Sequence, residues 1–301
     1  MIPERLSVYG SIIPLLHEVT EWSLLRRWSL SEVYRVILKS GETRIIKWGG
    51  QEMAGEAAIY QQLVRPLKIK SLRIFEFYEL KTSAIMIMED AGRDNLEQRP
   101  APDLFLEAAR ELANLRKVAS ANLGANLPSE IQCAYTVSAS DFLALLDDLL
   151  KSNIFSENNV LLRLQNTFPF ILDELYRTFP LTLVHHDYHA KNLIIQGHRI
   201  LPIDWSIAYL SPHLGDLYCL ATEAQTWSEV RKEDLIFAFH NEMDTDTSIE
   251  SLNRQVAIGG ICWLIKTLRW LVFGGTSLIP GSVAWIPDLM NDLENLMKEI
   301  E

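Results

Sequence analysis

The hydrophobic pattern of this chain changes period near residue 90, and that change restricts the fold more than any other feature of the sequence. Before it, "SEVYRVILKS" and "TRIIKW" flank an "SGE" turn, and "SLRIFEFYEL" and "SAIMIMED" flank "KT". All four runs are rich in β-branched and aromatic residues, as strands are. Between the two pairs, "QEMAGEAAIYQQLV" places Ala57, Tyr60, Leu63 and Val64 at helical spacing and stops before Pro66. After the polar "DAGRDNLEQRPAP", the runs "DLFLEAARELANLRKVA", "ASDFLALLDDLLKS" and "NNVLLRLQNTFPFILDELYRTF" carry apolar residues three and four apart. Later strand-like pieces are confined to "LTLVHH", "NLIIQ" and "RILPID". The pattern predicts an α+β chain of two lobes joined near residues 89–95. Residues 1–90 form a small antiparallel β-sheet with one helix; residues 91–301 form a larger, mostly helical lobe. No repeat or long linker interrupts either.

A hydrophobic content of 48% over 301 residues is ample for such a core. Cys133, Cys219 and Cys262 lie far apart, outside any CxxC pair, which suggests neither a disulfide framework nor a zinc site and fits a reducing cytoplasm. The opening "MIPERLSVYGSIIPLLHEVTEW" has acids and prolines where an export signal needs a basic start and an unbroken apolar run. The most apolar late segment, "VAIGGICWLIKTLRWLVFGG", is interrupted by Lys266 and Arg269, so a buried helix is expected there and no membrane span. The net charge of −11 argues against nucleic acid as a partner and is compatible with a cationic ligand or with solubility alone.

The chemistry concentrates between residues 185 and 216. In "HHDYHAKN" Asp187 precedes Asn192, and Asp204 follows in "ILPIDW" after an apparent hairpin turning at "QGHR". Two acids and an amide joined by a loop and a short hairpin are the base and the oxygen ligands that magnesium-assisted phosphoryl transfer needs. Asp187 would accept the proton of an attacking hydroxyl; Asn192 and Asp204 would hold the metal. Such a site also needs a Lys on the upstream sheet to hold nucleotide phosphates and an acid on the neighbouring helix to orient it. Lys47 in "RIIKW" and Glu56 in "GEAAIYQQL" fit, with Glu52, one turn earlier, as the rival partner.

Together "HHDYHAKN", "IDW" and "GDLYCLA", with "IIKW", "EAAIYQQL" and "IMIMED" upstream, resemble the aminoglycoside phosphotransferase and choline kinase family, which has the protein-kinase-like fold. The resemblance implies ATP or GTP with Mg2+ as cofactors, Asp187 as catalytic base, and Asn192 with Asp204 on the metal. It also implies an interlobe hinge at "MED", where backbone groups of Glu89, Asp90 and Ala91 meet the adenine, and Asp216 as a brace for the catalytic loop. Two departures stand out. His186 occupies a position where the family often has Gly, and no Gly lies between the first two strands, where "RRWSLSEVYRV" offers Ser29 and Ser31 to the phosphates. His185 is expected to hydrogen-bond the loop backbone. His189 and Lys191 are open to either a phosphate or substrate contact or a structural role.

The leading functional expectation is a small-molecule kinase. With eleven residues between Asp204 and Asp216, a phosphorylatable activation segment of the protein-kinase kind does not fit. A non-catalytic nucleotide-binding scaffold is the other alternative, opposed by the presence of Lys47, Glu56, Asp187, Asn192 and Asp204 together. For the acceptor, the acids of "HNEMDTDTSIES", Glu242, Asp244, Asp246 and Glu250, either receive the amines of an aminoglycoside or similar cationic antibiotic or form a solvated surface loop. A choline, homoserine or sugar type of metabolic kinase is the alternative.

Overall fold

Runs rich in β-branched and aromatic residues pair into a five-stranded antiparallel sheet in the order β1-β2-β3-β5-β4. The computed structural model of the chain describes residues 2–28, 30–51, 55–243 and 246–300. The strands are β1 (Val19–Arg27), β2 (Ser31–Leu38), β3 (Thr43–Gly50), β4 (Ile74–Leu80) and β5 (Ser83–Met88). The last four coincide with the β-rich runs of the sequence, and β1 adds the edge.

Because side chains alternate along a strand, the sheet has two apolar faces that need different cover. On the outer face Tyr34, Val36, Ile46, Ile85 and Ile87 pack under Leu6, Tyr9, Ile13 and Leu16. Those four come from the short helix α1 (Glu4–Ser7), the residues after it and the 3-10 turn Pro14–Glu18. On the inner face Ile45, Met86 and Met88 pack on Ala57, Tyr60, Leu63 and Val64. These are the apolar positions read from the sequence, carried by α2 (Glu56–Ile59) and the π-helical turn Tyr60–Val64 that continues it.

The second lobe is helical: α3 (Pro102–Asn126), α4 (Ser129–Tyr135), α5 (Ala139–Lys151), α6 (Asn159–Thr178), α7 (Gly215–Trp227), α8 (Lys232–Met243), α9 (Ile249–Trp270), α10 (Thr276–Leu278) and α11 (Ile286–Ile300). A capping box of Ser138 and Asp141 starts α5, and Asn158 caps α6. Two small ladders sit among the helices, β6 (Thr182–Val184) with β9 (Tyr209–Ser211), and β7 (Leu193–Gln196) with β8 (Arg199–Pro202). The β7-β8 turn runs through Gly197 at a φ of +66°, the left-handed conformation that glycine adopts freely.

The apolar late segment forms α9. By length and composition alone Ile249–Leu278 could cross a membrane, yet most of its apolar window is buried inside the protein. A Cβ added at Gly259 would lie 2.4 Å from the backbone nitrogen of Gly215, so glycine is what lets α9 cross α7 this closely. One residue on, Gly260 lies against Tyr218 of α7 and Leu296 of α11.

Between the lobes, Arg35 of β2 donates to both carboxylate oxygens of Asp90, each at 2.6 Å, and to the Gly92 carbonyl at 2.7 Å. A few residues later Asn95 donates to the Lys191 carbonyl at 3.2 Å and forms a bridge with Ile194.

Candidate active site

Strand β3 carries Lys47 to the inner face of the sheet, and α2, packed under that face, presents Glu56 from its first turn. The two form a buried ion pair, Lys47 Nζ to Glu56 Oε2 at 2.5 Å, and the same ammonium reaches Asp204 Oδ1 at 2.9 Å. Burial opposes the lysine's charge, but the two carboxylates prevail and hold its pKa above the ordinary value. Asp204 is likewise buried, yet Lys47 and the hydroxyl of Ser206, 3.0 Å away, hold its carboxyl well below the usual range. Glu56 moves the other way, because burial and the competing charge of Asp204 outweigh Lys47.

Just upstream of Asp204, β7 and β8 anchor the loop that holds Asp187 and Asn192. The Asn192 amide donates to the Asp187 carbonyl at 2.9 Å and to Asp187 Oδ2 at 2.7 Å. From α7, Asp216 accepts the backbone N–H groups of His185 and His186 at 2.7 and 2.8 Å. His186 needs that hold: its φ is +67°, a conformation costly for a residue with a Cβ, and this is the position where the sequence departs from Gly. Its carbonyl also accepts the indole N–H of Trp263 at 3.0 Å. Asp204 shares the left-handed conformation, with φ +65°.

His185 is fully buried. Its Nε2 donates to the Ile203 carbonyl at 3.0 Å and its Nδ1 accepts the Asp187 N–H at 3.3 Å, an assignment consistent with burial pushing the imidazole's pKa down. His189 is the opposite case. Burial works against its charge, but Cys219, Glu223 at 2.9 Å and Asp187 at 3.3 Å carry its pKa up to about 11. Glu223 also accepts the N–H of Ala190 at 2.5 Å, so α7 grips the loop at two points.

These parts surround a cavity of about 670 Å3 between the lobes. Lys47, Glu56, Asn192 and Asp204 line it, with Asp187 joined to it through Asn192. Its apolar walls are Val33 and Ile45 from the sheet and Ile194 and Ile203 from the second lobe, a slot suited to a planar ring. Glu89 and Ala91 line its edge. Asp90 is not among the lining residues; its carboxylate is committed to Arg35. Ser31 is buried at the first position of β2 and does not line the cavity, and Ser29 and Glu52 lie outside the described residues.

The C-terminal acids stand elsewhere. Lys117 of α3 pairs with Glu242 at 3.2 Å. Asp246, ahead of α9, and Glu250, in its first turn, are exposed, and Glu250 is thirteen residues, roughly 20 Å of helix, from Trp263 at the catalytic loop. Asp244 lies outside the described residues.

Sequence reading missed Glu223, Trp263 and Arg35. For Glu223 a signal existed: it follows Asp216 by seven positions and Cys219 by four, on one face of α7. Nothing local marks Trp263 or Arg35, whose partners are 77 and 55 residues away.

A five-stranded lobe over a helical one, with a cleft between them, defines the protein-kinase-like class. The chain belongs to the phosphotransferase enzyme family, APH, whose model matches residues 26–245, and it is a small-molecule phosphotransferase. Solved structures agree on the fold. Aminoglycoside phosphotransferase APH(2'')-Ib in its ADP-bound form is 16% identical, covers 99% of this chain and 98% of its own, and superposes with a TM-score of 0.65. A choline/ethanolamine kinase family protein from Mesorhizobium loti is 17% identical, with 99% and 95% covered and a TM-score of 0.70. An ethanolamine kinase from Plasmodium vivax is 16% identical, with 96% and 85% covered and a TM-score of 0.63. No curated protein matches the chain by sequence.

Proposed function

We propose that the chain transfers the γ-phosphoryl group of ATP or GTP to a hydroxyl of a small molecule. The observation that carries this reading is the convergence of Lys47, Glu56, Asn192 and Asp204 on one cavity, with Asp187 held at its edge by Asn192. The nucleotide base occupies the slot between Val33, Ile45, Ile194 and Ile203, and the backbone of Glu89 and Ala91 meets its edge. Lys47, aimed by Glu56, holds the phosphates; Asp187 takes the proton of the attacking hydroxyl.

The donor set fits a magnesium ion. Asn192 directs its amide group to Asp187, which leaves its carbonyl oxygen, and Asp204 keeps an ionised carboxylate whose Oδ1 alone is engaged by Lys47 and Ser206. Among the described residues no group of three or more His, Cys, Asp or Glu could hold a metal. Magnesium suits that scarcity, because it binds through one or two carboxylates plus phosphate oxygens and water. When bound, it neutralises charge on the transferring phosphates.

For the acceptor, likeness to APH(2'')-Ib and the net charge of −11 support an aminoglycoside or similar cationic antibiotic, and with it a resistance role. The placement of the acids favours the second class, a neutral or zwitterionic metabolite of the amino-alcohol or sugar type. Glu250, in the first turn of α9, lies far along the helix from the catalytic loop, which meets Trp263 instead, and one turn beyond is Lys266, with its ammonium 4.5 Å above the Tyr209 ring. A mass-spectrometric screen for added phosphate, with ATP, GTP and magnesium against both compound sets, tests the reading. Nucleotide consumed and an acceptor modified supports it; neither, across the panel, counts against it. For the favoured class the acceptor KM should hardly change with ionic strength, whereas a polycation held by surface acids should bind more weakly as salt rises.

A further inference from the structure

The β1-β2 connection lacks the glycines whose backbone could close on a polyphosphate, and the amide of Trp28 is already donated to the Ser31 carbonyl at 2.8 Å. Something else must meet the negative charge above Lys47. The register of β1 against β2 shows what stands there. Ser23 pairs with Arg35 and Leu24 with Tyr34, but the next pairs are Arg26 with Val33 and Arg27 with Glu32, so Leu25 is an extra residue in a β-bulge. In an uninterrupted ladder Leu25 would oppose Val33 and Arg26 would turn to the outer face. The bulge reverses this: Arg26 joins Val33 on the cavity side, while Arg27 turns out to pair with Glu32 at 3.0 Å. Bulges beside active sites re-aim side chains in this way.

Arg26 differs from two other cations that line the cleft. Arg35 is committed to Asp90 and Lys47 to Glu56 and Asp204. Among the described residues no carboxylate is within ion-pair distance of Arg26. Its guanidinium lies 3.9 Å over the Trp28 ring, and its charge reaches Asp204, whose carboxyl it helps to hold ionised. The same indole receives Lys191, 5.6 Å away, from the catalytic loop. Lys191 also lines the cavity and stands 3.6 Å from Asp187.

We propose that Arg26 is a phosphate-binding residue that replaces a glycine-rich loop: swung into the cleft by the bulge and stacked on Trp28, it binds oxygens of the terminal phosphates, with Lys191 approaching from the opposite lobe. This rests on the nucleotide reading above. It predicts a ligand preference that a backbone cradle does not, a dependence on one side chain for polyphosphate and none for the base.

The test is calorimetric titration of the full chain with magnesium and ATP or GTP, whichever the wild type binds, and with the matching nucleoside. Arg26→Ala should weaken triphosphate binding about tenfold or more, the loss of a charge-assisted contact, and leave nucleoside binding unchanged. Arg26→Lys should recover part of the loss, and Trp28→Ala should show a smaller loss in the same direction. Unchanged triphosphate binding by Arg26→Ala, in a protein whose wild type binds it, overturns the assignment alone. Equal weakening of triphosphate and nucleoside also overturns it, since Arg26 would then shape the cleft and not hold phosphate. A wild type that binds no nucleotide removes the underlying reading together with this one.

Discussion

Lys47 on the sheet and Asp204 on the helical lobe meet at 2.9 Å, so one buried ammonium ties together residues 157 positions apart and the two walls of the cleft. Removing it leaves Glu56 and Asp204 close together without compensation. Lys47→Ala is expected to weaken nucleotide binding and to cost about 3 kcal/mol of stability, the usual scale for breaking a buried pair. Glu56→Gln, which keeps a polar partner, should do less on both counts. Denaturant unfolding and nucleotide titration of both variants check this, and a Lys47→Ala protein as stable as the wild type contradicts it.

Asp187→Ala should leave nucleotide binding nearly intact and slow transfer by about 100 to 10,000-fold, the range of general-base contributions. Single-turnover measurement isolates the chemical step. More than a tenth of wild-type rate remaining in that step would take the base role away from Asp187.

His189 should stay an imidazolium across the neutral range, because its pKa of about 11 lies above the unfolded value near 6.5. The sign follows: its charge contributes stability in full below about pH 6.5, and that contribution is lost as pH rises towards 11. Ring resonances followed by NMR should not titrate between about pH 6 and 9. In Glu223→Gln, where one anionic partner is gone, the titration should move down. A His189 ring that titrates near its ordinary value in the wild type refutes the arrangement.

Asp216→Asn should destabilise the protein by about 3 kcal/mol. The carboxylate serves two backbone N–H groups at once and is fully buried beside Arg116, and each hydrogen bond to a charged group is worth about 1.5–3 kcal/mol. An amide turned towards those donors presents one oxygen and one clashing NH2. Chemical denaturation reads the difference, and an unchanged midpoint would show that the loop holds its shape by other means.

Period and chemistry explain what could be seen in the sequence. Strands β2 to β5 were legible from their β-branched and aromatic runs and the helix under them from its apolar spacing; Lys47, Glu56, Asn192 and Asp204 stood out by residue type and order, and the structure brings them to one cavity. The cover over the outer face was not legible. Leu6, Tyr9, Ile13 and Leu16 follow no single period, and only the sheet's geometry says what they are for. Likewise the acids after α8 read from sequence as a substrate rim or a solvated loop, and the length of α9, which sets the distance from Glu250 to Trp263, was not legible. Contacts such as Trp263 with His186 join chain segments 77 residues apart, and no local pattern encodes them.

The strap between the lobes has a mechanical consequence. At one end Arg35 holds Asp90 and Gly92 to the sheet, and at the other Asn95 is fastened to the catalytic loop. Asp94 is fastened there too, its carbonyl accepting the Ile195 N–H at 2.9 Å, so any breathing of the cleft that lets product out must be absorbed at Gly92, whose φ of +117° few other residues tolerate, and at Arg93 beside it. The molecule resembles a clasp whose spring is two residues long. A stretch that touches no reacting atom can thus govern how fast the cycle turns, and hardening or loosening it would alter turnover without altering the chemistry.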